Sequence, residues 1–453
     1  MSATKASDTM SLVAGLGKTG LSLARFLKAR DTDAIFYDSR TEPPGLDELR
    51  SLWPNAKLLL GSATIPEGVT RILASPGIDE GHAIISAARK QGIEVVSDIQ
   101  MFVDEVDSPF VAITGSNGKS TVTTLLYHMC VAAGRKVLAG GNLGHPALDL
   151  LGEGRPDIYV LELSSFQLKR TATLPAAVSV LLNVSPDHLD WHGTFEDYAD
   201  SKYRIFREAR AAVVDRSDDR ALDAVQDIKH VVSFGLDEPE DGQFGIRAEG
   251  ERRFLARGET LLIATDELAL FGLHNQANAL AALAAGQLLG LQHAAMLQVL
   301  AEFPGLPHRM QFVLRRGDVD YVNDSKATNV AAAIAAVRSV EGSVVLIAGG
   351  DGKGGNFAEL ARAIDGKLAG AVLIGTDAAA IAAALDDLTP CRYADDMDDA
   401  VRQAARLAAP GNTVLLAPAC ASLDQYANYG ARGDAFIAVS YTHLRAHETT
   451  ASI

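Results

Sequence analysis

Val111-Ala-Ile-Thr-Gly-Ser-Asn-Gly-Lys-Ser-Thr-Val-Thr-Thr-Leu-Leu126 is the stretch around which the chain is organised. The apolar run from Phe110 to Ile113 reads as a short buried parallel strand. The chain then turns through Gly115 and Gly118 and enters a helix at about Lys119, with Leu125, Leu126 and Met129 on its apolar face. A strand, a glycine turn and a helix N-terminus make an anion site. Backbone N–H groups and the positive end of the helix dipole converge there, and glycine lets the backbone approach a phosphate. Lys119 adds a charge for β/γ-phosphates, and Ser120 or Thr121 offers a hydroxyl to Mg²⁺. The usual loop, G-x-x-x-x-G-K-[ST], would place its first glycine at Ile113. The stretch is therefore a shortened variant in which Gly115, Ser116, Asn117, Gly118, Lys119, Ser120 and Thr121 surround the phosphates. The plainer alternative is a turn rich in small residues. The Gly-Lys-Ser-Thr run at a helix start speaks against it.

The 453 residues suit about three domains. Apolar content of 48% is ample for several cores. Cys130, Cys391 and Cys420 are too few and too scattered for a disulfide frame or a metal knuckle, which favours a reducing cytosol. No apolar run reaches the length of a membrane span, and Met1 to Asp8 lacks a signal-peptide core. A net charge of −16 argues against a nucleic-acid partner. It leaves room for an anionic small substrate, because local cations dominate a cleft.

Upstream, Met10 to Ala14 reads as a strand, followed by Gly15-Leu-Gly17-Lys-Thr-Gly20 and a helix through Leu21, Ala24 and Leu27. A second strand, Ala34 to Tyr37, ends at Asp38-Ser39-Arg40. On pattern alone this is a dinucleotide fingerprint with an acid about twenty residues on. Its functional reading is a nucleotide phosphate at Gly15–Gly20, and the plainer one is tight strand–helix packing. Ile72 to Ser75, then Pro76-Gly77, is another strand and loop of the kind that binds ligands at a parallel sheet's carboxyl edge.

Downstream, Asp157 to Glu162 is an apolar strand ending in a carboxylate, and Ala177 to Val184 is another, running into Ser185-Pro-Asp187-His188. A Glu and a His at the ends of neighbouring strands are placed to meet a metal beside the phosphates. Equally, Glu162 would serve as a cap and His188 as a satisfied loop histidine. Lys202 lies on a helix, where a lysine is ordinarily solvated or paired with a neighbour such as Asp200 or Glu208; pattern alone gives it no special status. Pro304-Gly-Leu-Pro307 is the best linker in the chain. Beyond it comes a third α/β unit. It has strands at Val319–Asn323, Ser343–Ala348, Ala371–Ile374 and Thr413–Ala417, and a glycine loop at 349–355 in which Lys353 suggests an anion contact. Arg432-Gly-Asp434 is taken as a chance tripeptide.

Taken together, eight motifs resemble the Mur ligases of peptidoglycan synthesis: Thr-Gly-Ser-Asn-Gly-Lys-Ser-Thr (114–121), Gly-Gly-Asn142-Leu-Gly, Glu162-Leu-Ser-Ser-Phe-Gln167, Asp-His188-Leu-Asp, Leu-Pro-His-Arg309, Asn-Asp-Ser-Lys-Ala-Thr-Asn (323–329), Gly-Gly-Asp-Gly-Lys353 and Pro-Ala-Cys-Ala-Ser-Leu-Asp-Gln (418–425). The resemblance covers about residues 10–438 and is nearest to the members that add glutamate. It implies an α/β fold of three domains: a Rossmann-like UDP-substrate domain at 1–97, a central ATPase-like domain with a mostly parallel sheet at 98–305, and a Rossmann-like glutamate domain at 306–439. It implies a cytoplasmic, ATP-dependent ligase joining D-glutamate to UDP-N-acetylmuramoyl-L-alanine. ATP phosphorylates the substrate carboxylate, the amine attacks the acyl phosphate, and phosphate leaves as the amide forms. A monomer is expected.

Carried over position by position, the resemblance makes Lys119, His188 and Lys202 catalytic, assigns the phosphates of ATP to the loop 115–121, and gives further ATP contacts to Asn278, Arg309, Asp324 and Lys326. Two Mg²⁺ ions would be held among Ser120, Glu162, His188 and Lys202, the last carbamylated. The UDP-substrate would meet Gly17, Lys18, Thr19, Asp38, Ser39, Arg40, Gly77, Asn142, Gln167 and His188. Glutamate would meet Thr328, Lys353, Ser422, Leu423 and Tyr429. Lys18, Ser39 and Tyr429 depart from the residues the family pattern leads one to expect. Residues 440–453 match nothing in the pattern and are expected to be an unpacked tail. Three other readings compete. An NAD-type oxidoreductase leaves the Lys119 loop unexplained. A phosphate-loop switch without ligation needs no third domain. A ligase that extends folate with glutamate fits the uridine-type first domain less well, whereas a ligase of the same superfamily that uses L-glutamate or another acceptor stays open, D-glutamate being the family default.

Overall fold

Alternating buried strands and helix-forming runs lay down three sheets. The structure, a computed structural model, describes residues 10–62, 64–385 and 388–446. The first sheet contains β1 (Met10–Ala14), β2 (Ala34–Asp38), β3 (Lys57–Leu60), β4 (Val69–Ala74) and β5 (Glu94–Val96), all parallel in the order β3-β2-β1-β4-β5. Both faces are covered, as parallel strands require: Val13, Phe36 and Leu73 enter one core, and Leu12, Ile35 and Ile72 the other.

The second sheet contains β6 (Phe110–Thr114), β7 (Val137–Gly141), β8 (Ile158–Glu162), β9 (Val178–Leu181), β10 (Ala211–Asp215), β11 (His230–Phe234), β12 (Phe244–Glu249), β13 (Arg252–Arg257) and β14 (Thr260–Ala264). Its order is β14-β13-β12-β11-β10-β9-β6-β8-β7. It is parallel except at the β12–β13–β14 edge. Residues 244–264 thus form an antiparallel meander that extends the sheet. β6 lies between β8 and β9, pairing Ile113 with Glu162 and Thr114 with Leu181. The loops leaving these three strands must therefore meet at one edge.

The third sheet contains β15 (Gln311–Arg316), β16 (Val319–Asn323), β17 (Val344–Gly349), β18 (Leu368–Ile374), β19 (Cys391–Tyr393) and β20 (Thr413–Leu416), in the order β15-β16-β20-β17-β18-β19. Only β15 is antiparallel. Alternation again feeds two cores, with Leu346 and Leu415 on one side and Ile347 and Leu416 on the other. β20, the last strand in sequence among the described residues, occupies the middle.

These sheets fall into two compact units, Met1–Ala264 with Ala277–Val299, and Thr265–Gln276 with Leu300–Ile453. The first unit holds two sheets in one continuous core. The helix Asp98–Glu105 joins them, with Phe102 meeting Phe110 and Tyr159 edge-on at 5.9 and 5.2 Å. The expected α/β architecture with mostly parallel sheets is what is found. The unpacked tail from residue 440 is not. The last helix runs Tyr429–Ala446, Ser440 is fully buried, and the Tyr441 hydroxyl donates to Val313 O at 2.8 Å. Helical spacing continues the buried face of Phe436 to Ser440, which the polar letters alone concealed. Residues 447–453 lie outside the described ones.

Candidate active site

β6 delivers the glycine loop, and its neighbours hold it. Thr114 Oγ1 donates to Leu163 O at 2.7 Å. From the end of β9, Asn183 accepts from Ser116 N at 2.9 Å and, through Oδ1, from Asn117 N at 2.8 Å. Ser116 Oγ accepts from Ser185 N at 2.9 Å and meets the Tyr198 hydroxyl at 2.7 Å. Gly118, just before the helix Lys119–Ala132, has φ +84°, and a Cβ there would collide with Asn278 Oδ1. Glycine is needed both for that backbone region and for that contact. Asn278 is thereby set against the loop.

Two lysines converge on this loop. Lys119 Nζ donates to Gly115 O at 2.8 Å and Ser116 O at 2.9 Å. Lys202 Nζ, on the helix Phe195–Tyr203, donates to the same Gly115 O at 2.7 Å. Lys202 is 1% exposed and lies 4.8 Å from the centre of the Tyr198 ring. Burial, and then the charge of Lys119, push it well below the ordinary lysine value, against the pull of Asp187 and Glu162. A solvated lysine paired with Asp200 is ruled out, because Asp200 instead meets Arg220 at 2.9 Å.

Glu162 ends β8. Its Oε1 accepts from Asn142 Nδ2 at 2.7 Å, while Oε2 is buried without a protein partner. A buried carboxylate oxygen left open fits a cation. Among the described residues no three His, Cys, Asp or Glu side chains converge as a metal cage. A divalent ion here would instead combine Glu162 with the Ser120 hydroxyl, substrate phosphates and water, which suits Mg²⁺. His188 has φ +52° and sits half exposed, its ring 4.9 Å from Phe166 and its Nε2 3.5 Å from Asp187 Oδ2. Gln167 is more committed than expected. Its Oε1 accepts from Ser164 N and Oγ at 3.1 Å, and its Nε2 donates to both Asp98 oxygens at 3.2 and 3.3 Å.

Gly17, Lys18, Thr19, Asp38, Ser39, Arg40, Gly77 and Asn142 line one cavity of about 620 Å³ together with the Ser75–Ile78 loop. Asp38 does not face it freely. Its oxygens accept from Leu16 N at 2.9 Å and from Arg40 Nε and Nη2 at 2.8 and 2.9 Å. Burial would raise its pKa, but these donors win and hold it down at about 2. An acid so engaged has no oxygen to spare for the adenosine ribose of a dinucleotide, which removes the main support for an oxidoreductase.

In the second unit the loops after β16, β20 and β17 adjoin. Asp324 accepts from Met310 N at 3.1 Å; burial pushes it up to about 7, although Met310 N and Arg309 pull it down. Lys326 Nζ lies 4.3 Å from the Tyr429 ring centre. Asp351 and Ala421 exchange backbone hydrogen bonds at 3.0 and 2.8 Å, which ties the Lys353 loop to the loop bearing buried Ser422 and exposed Leu423. Lys353 is itself exposed at φ +48°. Thr328 follows in the loop after β16, its N–H donating to Lys326 O at 2.8 Å. Arg432, 1% exposed, binds all three loops: Nε donates to Ser325 Oγ at 3.0 Å, and Nη2 to Ser325 O and Cys420 O at 3.0 and 3.1 Å. Nη1 reaches Ala421 O and Gly349 O at 3.3 and 3.4 Å.

Sequence reading missed Tyr198, Asn183 and Arg432. Tyr198 lies four residues before Lys202 and Arg432 three after Tyr429, so helical spacing was the available signal. Asn183 carried none beyond its place at a strand end.

Known proteins resemble this chain along most of its length. A model of the Mur ligase middle domain matches residues 113–286, one of the MurD-like N-terminal domain matches 9–97, and one of the glutamate ligase domain matches 308–420. A UDP-N-acetylmuramoylalanine–D-glutamate ligase of Nitrosococcus oceani is 45% identical over 430 residues, covering 94% of this chain and 95% of the relative. One from Methylococcus capsulatus is 46% identical, covering 94% and 93%. Among solved structures, a MurF ligase of Thermotoga maritima in complex with ADP superposes with a TM-score of 0.59 at 18% identity, covering 98% of this chain and all of that one. A pseudomurein peptide ligase of Methanothermus fervidus gives 0.57 at 19% identity, covering 96% and 100%. Both share the fold.

Proposed function

This chain belongs to the Mur ligase family, and from that premise we infer that it joins D-glutamate to UDP-N-acetylmuramoyl-L-alanine with ATP in peptidoglycan precursor synthesis. The observation that carries the reading is the meeting of Lys119 and Lys202 at Gly115 O, with Glu162 close enough to pull on the Lys202 charge. Such a site suits the union of two anions, a nucleotide phosphate and a carboxylate.

A carboxylate resists attack by an amine, because it is a poor electrophile with a poor leaving group. Transfer of the γ-phosphoryl group corrects both faults, and ADP departs. The glutamate amine then attacks the acyl carbon, loses a proton, and phosphate leaves as the amide forms. The loop N–H groups and Lys119 orient the phosphates and offset charge building on the transferred group. Mg²⁺, held by Ser120, Glu162, His188 and carbamylated Lys202, would supply further charge neutralisation. The cavity at Gly17–Thr19 and Ser39–Arg40 takes the uridine diphosphate end. Thr328, Lys353, Ser422, Leu423 and Tyr429 receive glutamate, and Arg309, Asp324 and Lys326 complete the ATP contacts.

We place the reaction in the cytoplasm and take the enzyme to be a monomer, which light scattering would check. Among the described residues no helix is long and apolar enough to cross a membrane. The test of function is phosphate release from ATP with UDP-N-acetylmuramoyl-L-alanine and a panel of amino acids. D-glutamate should be used and L-glutamate refused; equal use of both, or no release, would overturn the reading.

A further inference from the structure

Arg170 stands just beyond the helix Ser165–Lys169. That helix opens at Ser164, two residues after Glu162, so Arg170 is joined to the carboxylate strand through a single short helix. Its guanidinium leaves the second sheet and enters the loop after β4. Nε donates to Glu80 Oε1 at 2.9 Å, Nη2 to Ile78 O at 2.6 Å, and Nη1 to Ser75 O at 3.4 Å. Arg89 holds the other oxygen of Glu80, and the Trp191 ring lies 5.5 Å from the Arg170 guanidinium carbon. The Arg170 carbonyl accepts from Ser97 N at 3.2 Å, which fixes its backbone as well.

Ser75 and Ile78 line the cavity assigned to the uridine end. Ser75 Oγ in turn donates to Gly15 O at 3.1 Å, so the same loop buttresses the first glycine turn. Asn142 lines that cavity too and donates to Glu162. A substrate reaching from the cavity to the reacting centre needs the two ends held in register, because small displacements of a bound group are costly to rate and affinity.

We propose that Arg170, with Glu80, is a positioning pair that clasps the Ser75–Ile78 wall of the uridine cavity to the element following Glu162, and so sets affinity for the UDP-bearing substrate. The proposal rests on the uridine reading of that cavity. The planar fork of the guanidinium serves two carbonyls and a carboxylate at once, which a lysine ammonium on one flexible stem does not reproduce. Neither residue touches the reacting atoms.

The experiment uses the full chain and the variants Arg170→Met, Arg170→Lys and Glu80→Gln. Each substrate is varied separately in steady state, calorimetry follows binding of UDP alone, and a thermal melt accompanies every variant. Arg170→Met should raise KM for the UDP-substrate about tenfold and weaken UDP similarly, with kcat and the KM values for ATP and glutamate within about twofold. Arg170→Lys should fall between wild type and Arg170→Met. Glu80→Gln, which keeps an acceptor for Nε, should change KM less than about threefold. An unchanged KM for the UDP-substrate in Arg170→Met would overturn the proposal. So would a rise in all three KM values together with a lowered melt, which marks mere destabilisation. An inactive wild type that still binds UDP would sink the ligase reading while leaving the clasp to the calorimetry. A wild type that does not bind UDP would overturn the cavity assignment and the clasp together.

Discussion

Lys119 and Lys202 present their side-chain nitrogens to one acceptor, the carbonyl oxygen of Gly115, at 2.8 and 2.7 Å. Two ammonium charges so close repel, and the buried one is the easier to discharge. A neutral amine can add CO₂, which replaces a positive group by a carbamate with two oxygens suited to Mg²⁺. Lys202→Ala and Lys202→Arg should each lose nearly all activity, and a short carboxylate should partly rescue the alanine variant. Intact-protein mass should carry a labile increment of one CO₂ that vanishes in Lys202→Arg. A fully active Lys202→Arg enzyme would refute the carbamate.

Lys119→Ala should abolish phosphate release, by more than about a hundredfold, while the melt stays near wild type. The variant loses the bonds from Lys119 Nζ to Gly115 O and Ser116 O, but the loop keeps those made by Thr114 Oγ1, Ser116 Oγ, Asn117 N and the Asn183 side chain. Retained activity, or loss explained by unfolding, would count against the assignment.

Arg432→Met should be severe. Removing the guanidinium strands four buried or part-buried carbonyls and the Ser325 hydroxyl, a loss on the order of 3 kcal/mol or more. The melt should drop, and any surviving activity should show a raised KM for glutamate. Wild-type values for both would show that the three loops stand without it.

Asp98 supplies a pH signature. Burial raises its pKa to about 6, although Gln167 and backbone N–H groups oppose the rise. The folded state thus holds a proton that the unfolded chain, with its ordinary value of 3.8, releases earlier. The associated stability is fully present below about pH 4 and lost as pH rises through about 6, with a magnitude on the order of 3 kcal/mol. Asp98→Asn should remove this slope, so its melt relative to wild type should improve between pH 4 and 7. Parallel melts across that range would contradict the buried-acid account.

Truncation after Val439 should lower the melting temperature by a few degrees, about what losing 1 kcal/mol does in a domain of this size. It deletes buried Ser440 and the Tyr441 contact to Val313 O. An unchanged melt would restore the sequence expectation of an unpacked tail.

Much of the fold was legible because parallel strands buried on both faces announce themselves as apolar runs. Met10–Ala14 and Val319–Asn323 were read to the residue. Strands β12, β13 and β15, which enter antiparallel pairings, were not, since their half-exposed faces mix charge with apolar letters: Arg252-Arg-Phe-Leu-Ala-Arg257 looks like a loop until it is paired. Gly118 and Lys119 declared the glycine turn and the helix start through local motif. Asp38 is the instructive case. Its position matched a ribose-binding acid, but Arg40, two residues on, takes up its oxygens. Tyr198 and Arg432 act across the fold rather than along the chain, and local pattern is silent about such partners.

β20 is made after every other strand described, yet it sits between β16 and β17. A chain emerging from the ribosome therefore carries two open sheet edges until about residue 416 has appeared. Neither half of that sheet can close earlier, and unpaired edges invite pairing with other chains. Premature termination anywhere between β17 and β20 would leave a sheet missing its central strand rather than one trimmed at its rim. Such fragments should aggregate or be degraded, which makes the third sheet the all-or-nothing step in the biosynthesis of this enzyme.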